Sequence, residues 1–327
     1  MPTILITGAS GFVGGAAAQC FRESGWNVLE TGRRHLNREH YVRQDLSKPF
    51  SDEFLQQIDT ADVILHAAAR SSPWGTRAQF LADNVQSTER LLNACVERRR
   101  TDLPRFFFVS SSSVYYRSED QFQITETTPH AVPAVNLYAD TKQRCEKLVR
   151  GYPGSWIIFR PRAVYGPGDT VLFPRILEAA RAGRLPLLVR PNTPVVGDLI
   201  SIENLVHCFR IAAENPELRG DFNLTDGQPV EIVAFLLSVF ERLQIPKPTR
   251  RVTVHHAFRI AWLIEMAYGA FAWWKEPPIT RFGVHVFAWS KTFDVTKMLT
   301  TFGQPRVTTS EGIDHFVDWM RKESQHP

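Results

Sequence analysis

Four glycines in eight positions, GASGFVGG at residues 8–15, follow directly on the short apolar run PTILIT. Glycine inside a helix or strand costs roughly 0.5–1 kcal/mol against alanine. A cluster of them therefore marks a place where the backbone turns tightly or where something must come close to it. The apolar run predicts a strand over TILIT (3–7), and VGGAAAQCFRES predicts a helix over 13–24 that ends at Gly25. A glycine turn between a strand and a helix offers free backbone N–H groups and the positive end of the helix dipole, which suits a phosphate. The spacing Gly8-x-x-Gly11-x-x-Gly14 assigns the tight turn to Gly8, the approach of a pyrophosphate to Gly11 and the packing of helix on sheet to Gly14. Ser10, Phe12 and Val13 share that turn and join the cofactor-binding candidates. No Gly-Lys-Ser/Thr follows, so the expected ligand is a dinucleotide and not a P-loop nucleotide.

The first half of the chain goes on alternating. Strands are predicted at WNVLET (26–31), ADVILHAAA (61–69), RFFFVSSSS (105–113) and SWIIFRP (155–161), with helices over 84–99 and 136–152. Such alternation folds through right-handed β-α-β crossovers, which makes the fold class α/β with a Rossmann-like, doubly wound parallel sheet. Beyond Pro161 the pattern loosens into helices at 174–184, 200–215 and 232–244 and a strand and turn at 222–230. The expected organisation is a dinucleotide-binding domain over 1–170, to which 195–215 returns, and a smaller C-terminal α/β substrate domain over 171–327.

The end of the second strand chooses between the two nicotinamide cofactors. An acidic residue there holds a free ribose 2′-hydroxyl, whereas arginine meets a 2′-phosphate. The sequence reads Glu30-Thr31-Gly32-Arg33-Arg34, and Arg33 and Arg34 favour NADP(H) over NAD(H). Glu30 is the alternative ribose partner if the strand ends two residues earlier. Asp45 and Leu46, in QDLS, are placed against the adenine, with a turn or helix cap as the other reading of Asp45.

The totals narrow the partners. A formal net charge of +4 over 327 residues is small, and Arg98–Arg100 read as a solvated helix end, so no nucleic-acid partner is expected. Cys20, Cys95, Cys145 and Cys208 lie far apart with no C-x-x-C, which fits neither a disulfide framework nor a metal site. That usage, and an apolar run that leads straight into the glycines and so belongs to the fold, point to a cytoplasmic location. AFRIAWLIEMAYGAFAWW (257–274) is apolar nearly all round but broken by Arg259 and Glu265. As a helix it spans about 27 Å, marginal for a bilayer core. A buried or lid helix is expected, with peripheral membrane contact as the alternative.

Chemistry enters with Tyr138 and Lys142, four apart on a predicted helix and therefore on one face. Ser111 ends a buried strand 27 positions earlier, where ligands sit in a doubly wound sheet. A phenol with a pKa near 10 is a poor acid–base at neutral pH. An ammonium within about 5 Å contributes roughly 3 kcal/mol at an effective dielectric of about 20, which would bring Tyr138 toward the working range. Ser111 would hold the substrate oxygen.

With these residues in place, the chain resembles the extended short-chain dehydrogenase/reductases, the superfamily of nucleotide-sugar epimerases and 3β-hydroxysteroid dehydrogenases. The resemblance runs through GASGFVG, QDLS, HAAA, DNVQSTERLLNAC, VSSSSVYY, YADTK and RPRAVYGPGD, nearly the full length. It implies that Ser111 is the catalytic serine, with Ser112 next in line, and that Asn84 sits with Tyr138 and Lys142 in the active site. It further implies that His66, Ala67 and Ala68 line the cofactor channel and that Arg160, Pro161 and Val164 fall beside the nicotinamide. A satisfied strand-end histidine stays open for His66, and a helix cap for Asn84.

SSPWGTRAQF and PPITRFGVHVFAWSKTFDVTKMLTTFG resemble the 3β-hydroxysteroid dehydrogenase and sterol-decarboxylating branch, which includes bacterial β-keto acid reductases. The implied reaction interconverts a secondary alcohol and a ketone on an apolar substrate, sterol-like or an alkyl β-hydroxy/keto acid. Trp74, Trp262, Trp273, Trp274 and Phe287 would suit such a substrate. A nucleotide-sugar epimerase or dehydratase, and a non-catalytic NADP(H)-binding sensor, are the alternatives. A homodimer is the family expectation. Ser87, Tyr116 and Ile200-Ser201-Ile202 depart from common family residues without touching the Ser–Tyr–Lys set.

Overall fold

Alternate residues of the first strand go to opposite faces of a sheet covered on both sides, and every one of them is buried. This computed structural model describes residues 1–170, 173–190 and 193–325. Its first half runs β1 (Thr3–Thr7), α1 (Phe12–Glu23), β2 (Asn27–Gly32), β3 (Tyr41–Arg43), α2 (Asp52–Thr60), β4 (Val63–His66) and α3 (Arg77–Phe80). Then follow α4 (Ser87–Arg99), β5 (Arg105–Val109), β6 (Gln121–Ile124), α5 (Leu137–Arg150) and β7 (Trp156–Pro161). The central sheet has seven parallel strands in the order Gly220–Leu224, β7, β5, β4, β1, β2, β3. A parallel sheet needs cover on both faces. Ile4, Ile6, Phe107 and Phe159 pack against α1 and the helix Ile202–Glu214. Leu5, Ile64, Phe106 and Phe108 pack against α2, α4 and α5 on the other side.

Several boundaries differ from expectation for local reasons. The strand expected over 61–69 stops at His66, and Ala67–Ala69 leave the sheet. The strand expected over 105–113 stops at Val109, and the serines form a short 3-10 turn, Ser112–Tyr115. The helix expected from residue 84 starts earlier, because α3 continues through a π-helical turn, Leu81–Gln86, into α4. The return to the main sheet extends past residue 215, since Gly220–Leu224 is its edge strand. The boundary expected at residue 171 lies outside the described residues.

A smaller sheet, ordered Val230–Glu231, Val196–Gly197, Lys291–Phe293 and β6, stands beside the main one. The helices Phe173–Arg181, Ile232–Arg242 and Thr309–Gln325 share a core of Phe173, Phe235, Phe240 and Phe316. The helix Val254–Phe271 is not the buried helix expected. Only its Ala257 and Ala261 are buried. Trp262, Leu263, Met266 and Phe271, with Trp273 and Trp274 just beyond, are exposed, Phe271 at 81% and Trp274 at 63%. Nothing packs over that face among the described residues, so its apolar composition did not translate into burial. No helix among them is long and apolar enough to cross a membrane.

Candidate active site

A cavity of about 490 Å³ runs along the C-terminal ends of β1, β2, β4, β5 and β7. Gly8, Ser10, Gly11, Phe12, Val13 and Gly14 form one wall. Gly8 has φ +72°, and a Cβ on it would lie 2.8 Å from the Ala68 backbone. A Cβ on Gly14 would run into the Gly8 carbonyl. This turn is therefore bare backbone held close to the loop after β4. Gly32 meets side chains instead of backbone, since a Cβ there would lie 2.7 Å from Ser10 Oγ and 2.8 Å from Tyr41 Oη, which can turn aside. Glu30 is buried and pairs with Arg22 and Arg38, so it faces away from the cavity. Arg33 and Arg34 line the mouth, with Arg34 Nη1 donating to Ser10 O at 3.2 Å. Asp45 and Leu46 line it too, and the Asp45 carboxylate accepts from Ser47 N at 2.9 Å and Ser47 Oγ at 2.7 Å.

Tyr138 and Lys142 come from the first two turns of α5, whose start is capped by Asn136 Oδ1 accepting from Ala139 N at 2.8 Å. Ser111, Tyr138, Lys142, Ala67, Ala68, Pro161 and Val164 all line the same cavity. The Ser111 hydroxyl acts on the Tyr138 phenol, favouring its ionised form, and Ser113 Oγ donates to Ser111 Oγ at 3.0 Å. Lys142 is buried, with Nζ donating to Val109 O at 2.6 Å and lying 4.6 Å from the Phe108 ring centroid.

The electrostatics differ from expectation. Burial pushes the Tyr138 phenol up to about 12, against the Ser111 hydroxyl that favours ionisation. Burial also pulls the Lys142 amine down to about 8. The lowering of Tyr138 by a nearby ammonium is thus not delivered by the protein alone, because desolvation acts on both groups and the lysine points at the Val109 carbonyl.

Three candidates stand behind the wall instead of on it. Arg160 is 1% exposed and bound to Glu146 (Nε–Oε1 2.9 Å, Nη2–Oε2 2.6 Å), to Asp221 (3.0 Å) and to the Tyr115 hydroxyl. It is an interior ion pair and does not line the cavity. His66 does not reach the cofactor channel, because Thr7 Oγ1 at 2.7 Å and Thr88 Oγ1 at 3.0 Å hold its ring in the interior. Burial lowers its pKa to about 3, so it is neutral. Asn84 lies in the π-helical turn, takes Arg70 N on Oδ1 at 2.7 Å and donates from Nδ2 to Thr141 Oγ1 at 2.9 Å. It ties the loop after β4 to α5, a positioning role one residue from Lys142.

The tryptophans expected in a substrate pocket are elsewhere. Trp262, Trp273 and Trp274 face outward, and Trp74 Nε1 donates to Trp273 O at 3.1 Å. Phe287 does line a narrow apolar cleft next to the cavity. Sequence reasoning missed Tyr116, Arg162, Phe282 and Val286, which wall one end of the cavity. It also missed Glu146, which accepts from Ser110 Oγ at 2.6 Å and anchors α5 to β7 through Arg160. Glu146 falls one turn after Lys142, a spacing that could have signalled it.

Comparison with known proteins gives a consistent picture. A family model described as the NAD dependent epimerase/dehydratase family matches residues 4–225. A 2-alkyl-3-oxoalkanoate reductase of Shewanella oneidensis is 28% identical over 327 residues, covering 94% of this chain and 83% of the relative. A 3beta-hydroxysteroid-dehydrogenase/decarboxylase isoform of Arabidopsis thaliana is 26% identical, covering 90% of this chain and 54% of that protein. Among solved structures, MoeE5 in complex with UDP-glucose and NAD superposes with a TM-score of 0.75 at 21% identity, covering 99% of this chain and 100% of the other. That last likeness speaks for the fold.

Proposed function

This chain belongs to the NAD dependent epimerase/dehydratase family, and from that premise we propose that it interconverts a secondary alcohol and a ketone on an apolar substrate by a Ser–Tyr–Lys mechanism with NADP(H). It is an NAD(P)-dependent oxidoreductase of the extended short-chain dehydrogenase/reductase type, with reductase and steroid dehydrogenase relatives. The observation that carries the proposal is that Ser111, Tyr138 and Lys142 line the same cavity as the glycine turn.

The bare turn at Gly8–Gly14 suits a pyrophosphate, and Asp45 and Leu46 suit an adenosine. Arg33 and Arg34 beside a side-chain-free position 32 suit a 2′-phosphate, which is the ground for preferring NADP(H). When bound, the reduced nicotinamide supplies a hydride to the carbonyl carbon. Tyr138 then gives its proton to the carbonyl oxygen, and takes it back in the reverse direction. A phenol held near 12 is protonated at neutral pH and so is ready as the acid of reduction. Ser111 donates to the same oxygen, and Lys142 lines the wall one turn from Tyr138, where a ribose hydroxyl would meet it.

The test is reduced-nicotinamide absorbance with purified protein, NADP+ or NAD+, and a panel of hydroxysteroids and β-hydroxy acids. Tyr138→Phe should lower turnover about 10²–10⁴-fold while the protein still binds NADPH. Near-normal turnover in that variant would sink the mechanism. Cofactor binding without any net change in absorbance would shift weight to a sugar-nucleotide epimerase.

The exposed face of Val254–Phe271 favours one addition, contact with a membrane surface. Trp262, Leu263, Met266, Phe271, Trp273 and Trp274 present indoles and aliphatic chains, and the exposed Arg250, Arg251, Arg259 and Lys275 lie close in sequence. Wild-type chain should co-float with anionic phospholipid vesicles, and Leu263→Glu with Trp274→Ala should not. Equal flotation of both excludes this face as the contact.

A further inference from the structure

Arg162 is a buried charge that the reaction above does not use. It is 3% exposed, yet it lines the cavity at the end walled by Tyr116, Phe282 and Val286. No guanidinium nitrogen of Arg162 has a hydrogen-bond or ion-pair partner among the described residues, and Nε is fully enclosed. Its surroundings balance the charge only in part. The Tyr116 ring centroid lies 5.2 Å from the guanidinium carbon. Lys291 Nζ is 5.8 Å from the same ring, which also stacks on His285 at 6.1 Å and 9°. The Lys291 amine is already engaged, donating to Glu119 O at 2.6 Å and Ser290 O at 3.3 Å. Burial keeps His285 neutral, with a pKa of about 4. The carboxylate that faces the group is Asp198, whose Oδ2 accepts from Phe293 N at 2.8 Å.

A buried guanidinium whose nitrogens hold no anion directly is unfavourable, and its planar fork of donors matches a carboxylate. Past Arg162 the wall turns to hydrocarbon. A cleft of about 30 Å³ shares Arg162, Ala163 and Val286 with the cavity and is walled by Phe173, Ile232, Phe235 and Phe287 among others. Tyr116 also ties this end to the reacting centre, since its hydroxyl hydrogen-bonds Ser112 Oγ at 2.9 Å, next to Ser111.

We propose that Arg162 receives the carboxylate of the substrate, and that the substrate is therefore a β-oxo or β-hydroxy acid carrying hydrocarbon branches. This deepens the oxidoreductase reading above and rests on it. In such an acid the carboxylate is two bonds from the reacting carbon, and Arg162, Tyr116, Ser111 and Tyr138 all line the one cavity. Held there, the carbonyl is oriented against Ser111 and Tyr138 before reaction. A diphosphate would need further donors beside Arg162, whereas the cleft beyond it is walled by Phe173, Ile232, Phe235 and Phe287. A neutral sterol ketone would leave the guanidinium unpaired.

The test uses Arg162→Met and Arg162→Lys in the full chain, with 3-hydroxydecanoate and its methyl ester oxidised by NADP+. The same two compounds and UDP-glucose are titrated calorimetrically. Wild type should prefer the acid, Arg162→Met should lose about 100-fold in kcat/KM on the acid and with it the preference over the ester, and Arg162→Lys should restore part of that ratio. No binding of the acid, indifference of wild type between acid and ester, or an equal fall on both in Arg162→Met overturns the carboxylate seat. So does Arg162-dependent binding of UDP-glucose in place of the acid. Arg162-dependent binding of the acid with no Tyr138-dependent turnover leaves the seat standing and overturns the oxidoreductase reading.

Discussion

At the glycine end of the cavity the walls are short turns at strand ends, residues 8–14, 31–34, 44–47 and 67–69. At the other end the walls are the side chains of Tyr116, Arg162, Phe282 and Val286, drawn from segments up to 170 positions apart. The first end is shaped by backbone, and a Cβ on Gly8 or Gly14 would lie within 2.8 Å of backbone atoms, inside van der Waals contact. The second is shaped by side chains that could be exchanged one at a time without moving the backbone. A ligand common to many reactions can be met by the rigid end, while the exchangeable end is free to choose what is reduced.

Gly14→Ala should give the largest effect that this contrast predicts. Its Cβ would enter the Gly8 carbonyl, so α1 must withdraw from β1. A stability loss of about 3 kcal/mol or more is expected, with loss of NADPH binding, read by urea unfolding and NADPH fluorescence titration. A change of one methylene on a cavity wall, such as Val286→Leu at the other end, should cost less than about 1.5 kcal/mol. Equal costs at the two positions would dissolve the distinction between them.

The contrast also explains what was legible in the sequence. Strand–glycine–helix order, the four-residue spacing of Tyr138 and Lys142, and Ser111 at a strand end are local patterns, and the sheet follows from the alternation of strands and helices. Arg160 and His66 were placed by their neighbours in the chain. Where each points depends on remote partners, Glu146 and Asp221 for the arginine and Thr7 and Thr88 for the histidine. Arg162 was invisible for the same reason, since only the fold sets it against Tyr116, His285 and Lys291. The helix Val254–Phe271 misled differently. Its composition predicts burial, but burial needs a facing surface, and none covers it among the described residues.

Lys142 belongs to both ends and shows what the reacting centre costs the fold. Burial lowers its amine from the ordinary 10.5 to about 8. Below pH 8 the folded chain carries a desolvated ammonium, so the full penalty is present. Between pH 8 and 10.5 the folded state binds fewer protons than the unfolded state, and this group's contribution to stability improves as pH rises. Lys142→Met should therefore stabilise the protein at pH 7 by about 1–3 kcal/mol, less the lost bond to Val109 O, while removing turnover. The gain should shrink on going to pH 10. Urea midpoints at the two pH values decide it, and a destabilised variant at pH 7 would show that the ammonium is better accommodated than its burial implies.

The smallest effect concerns the one place where the glycine end itself relies on side chains. Arg33 and Arg34 stand at the solvent-facing mouth and are exposed. If they hold a 2′-phosphate, Arg34→Ser should weaken NADPH binding about tenfold and leave NADH binding nearly unchanged, because the backbone turn that meets the pyrophosphate is untouched. An exposed arginine–phosphate contact is screened by salt, so the NADPH-over-NADH ratio of the wild type should fall as ionic strength rises, and that of Arg34→Ser should respond less. An equal loss for both cofactors would mean that Arg34 shapes the turn through its bond to Ser10 O and reads no phosphate. The cofactor choice would then have to come from Arg33 alone or from the side-chain-free position at Gly32.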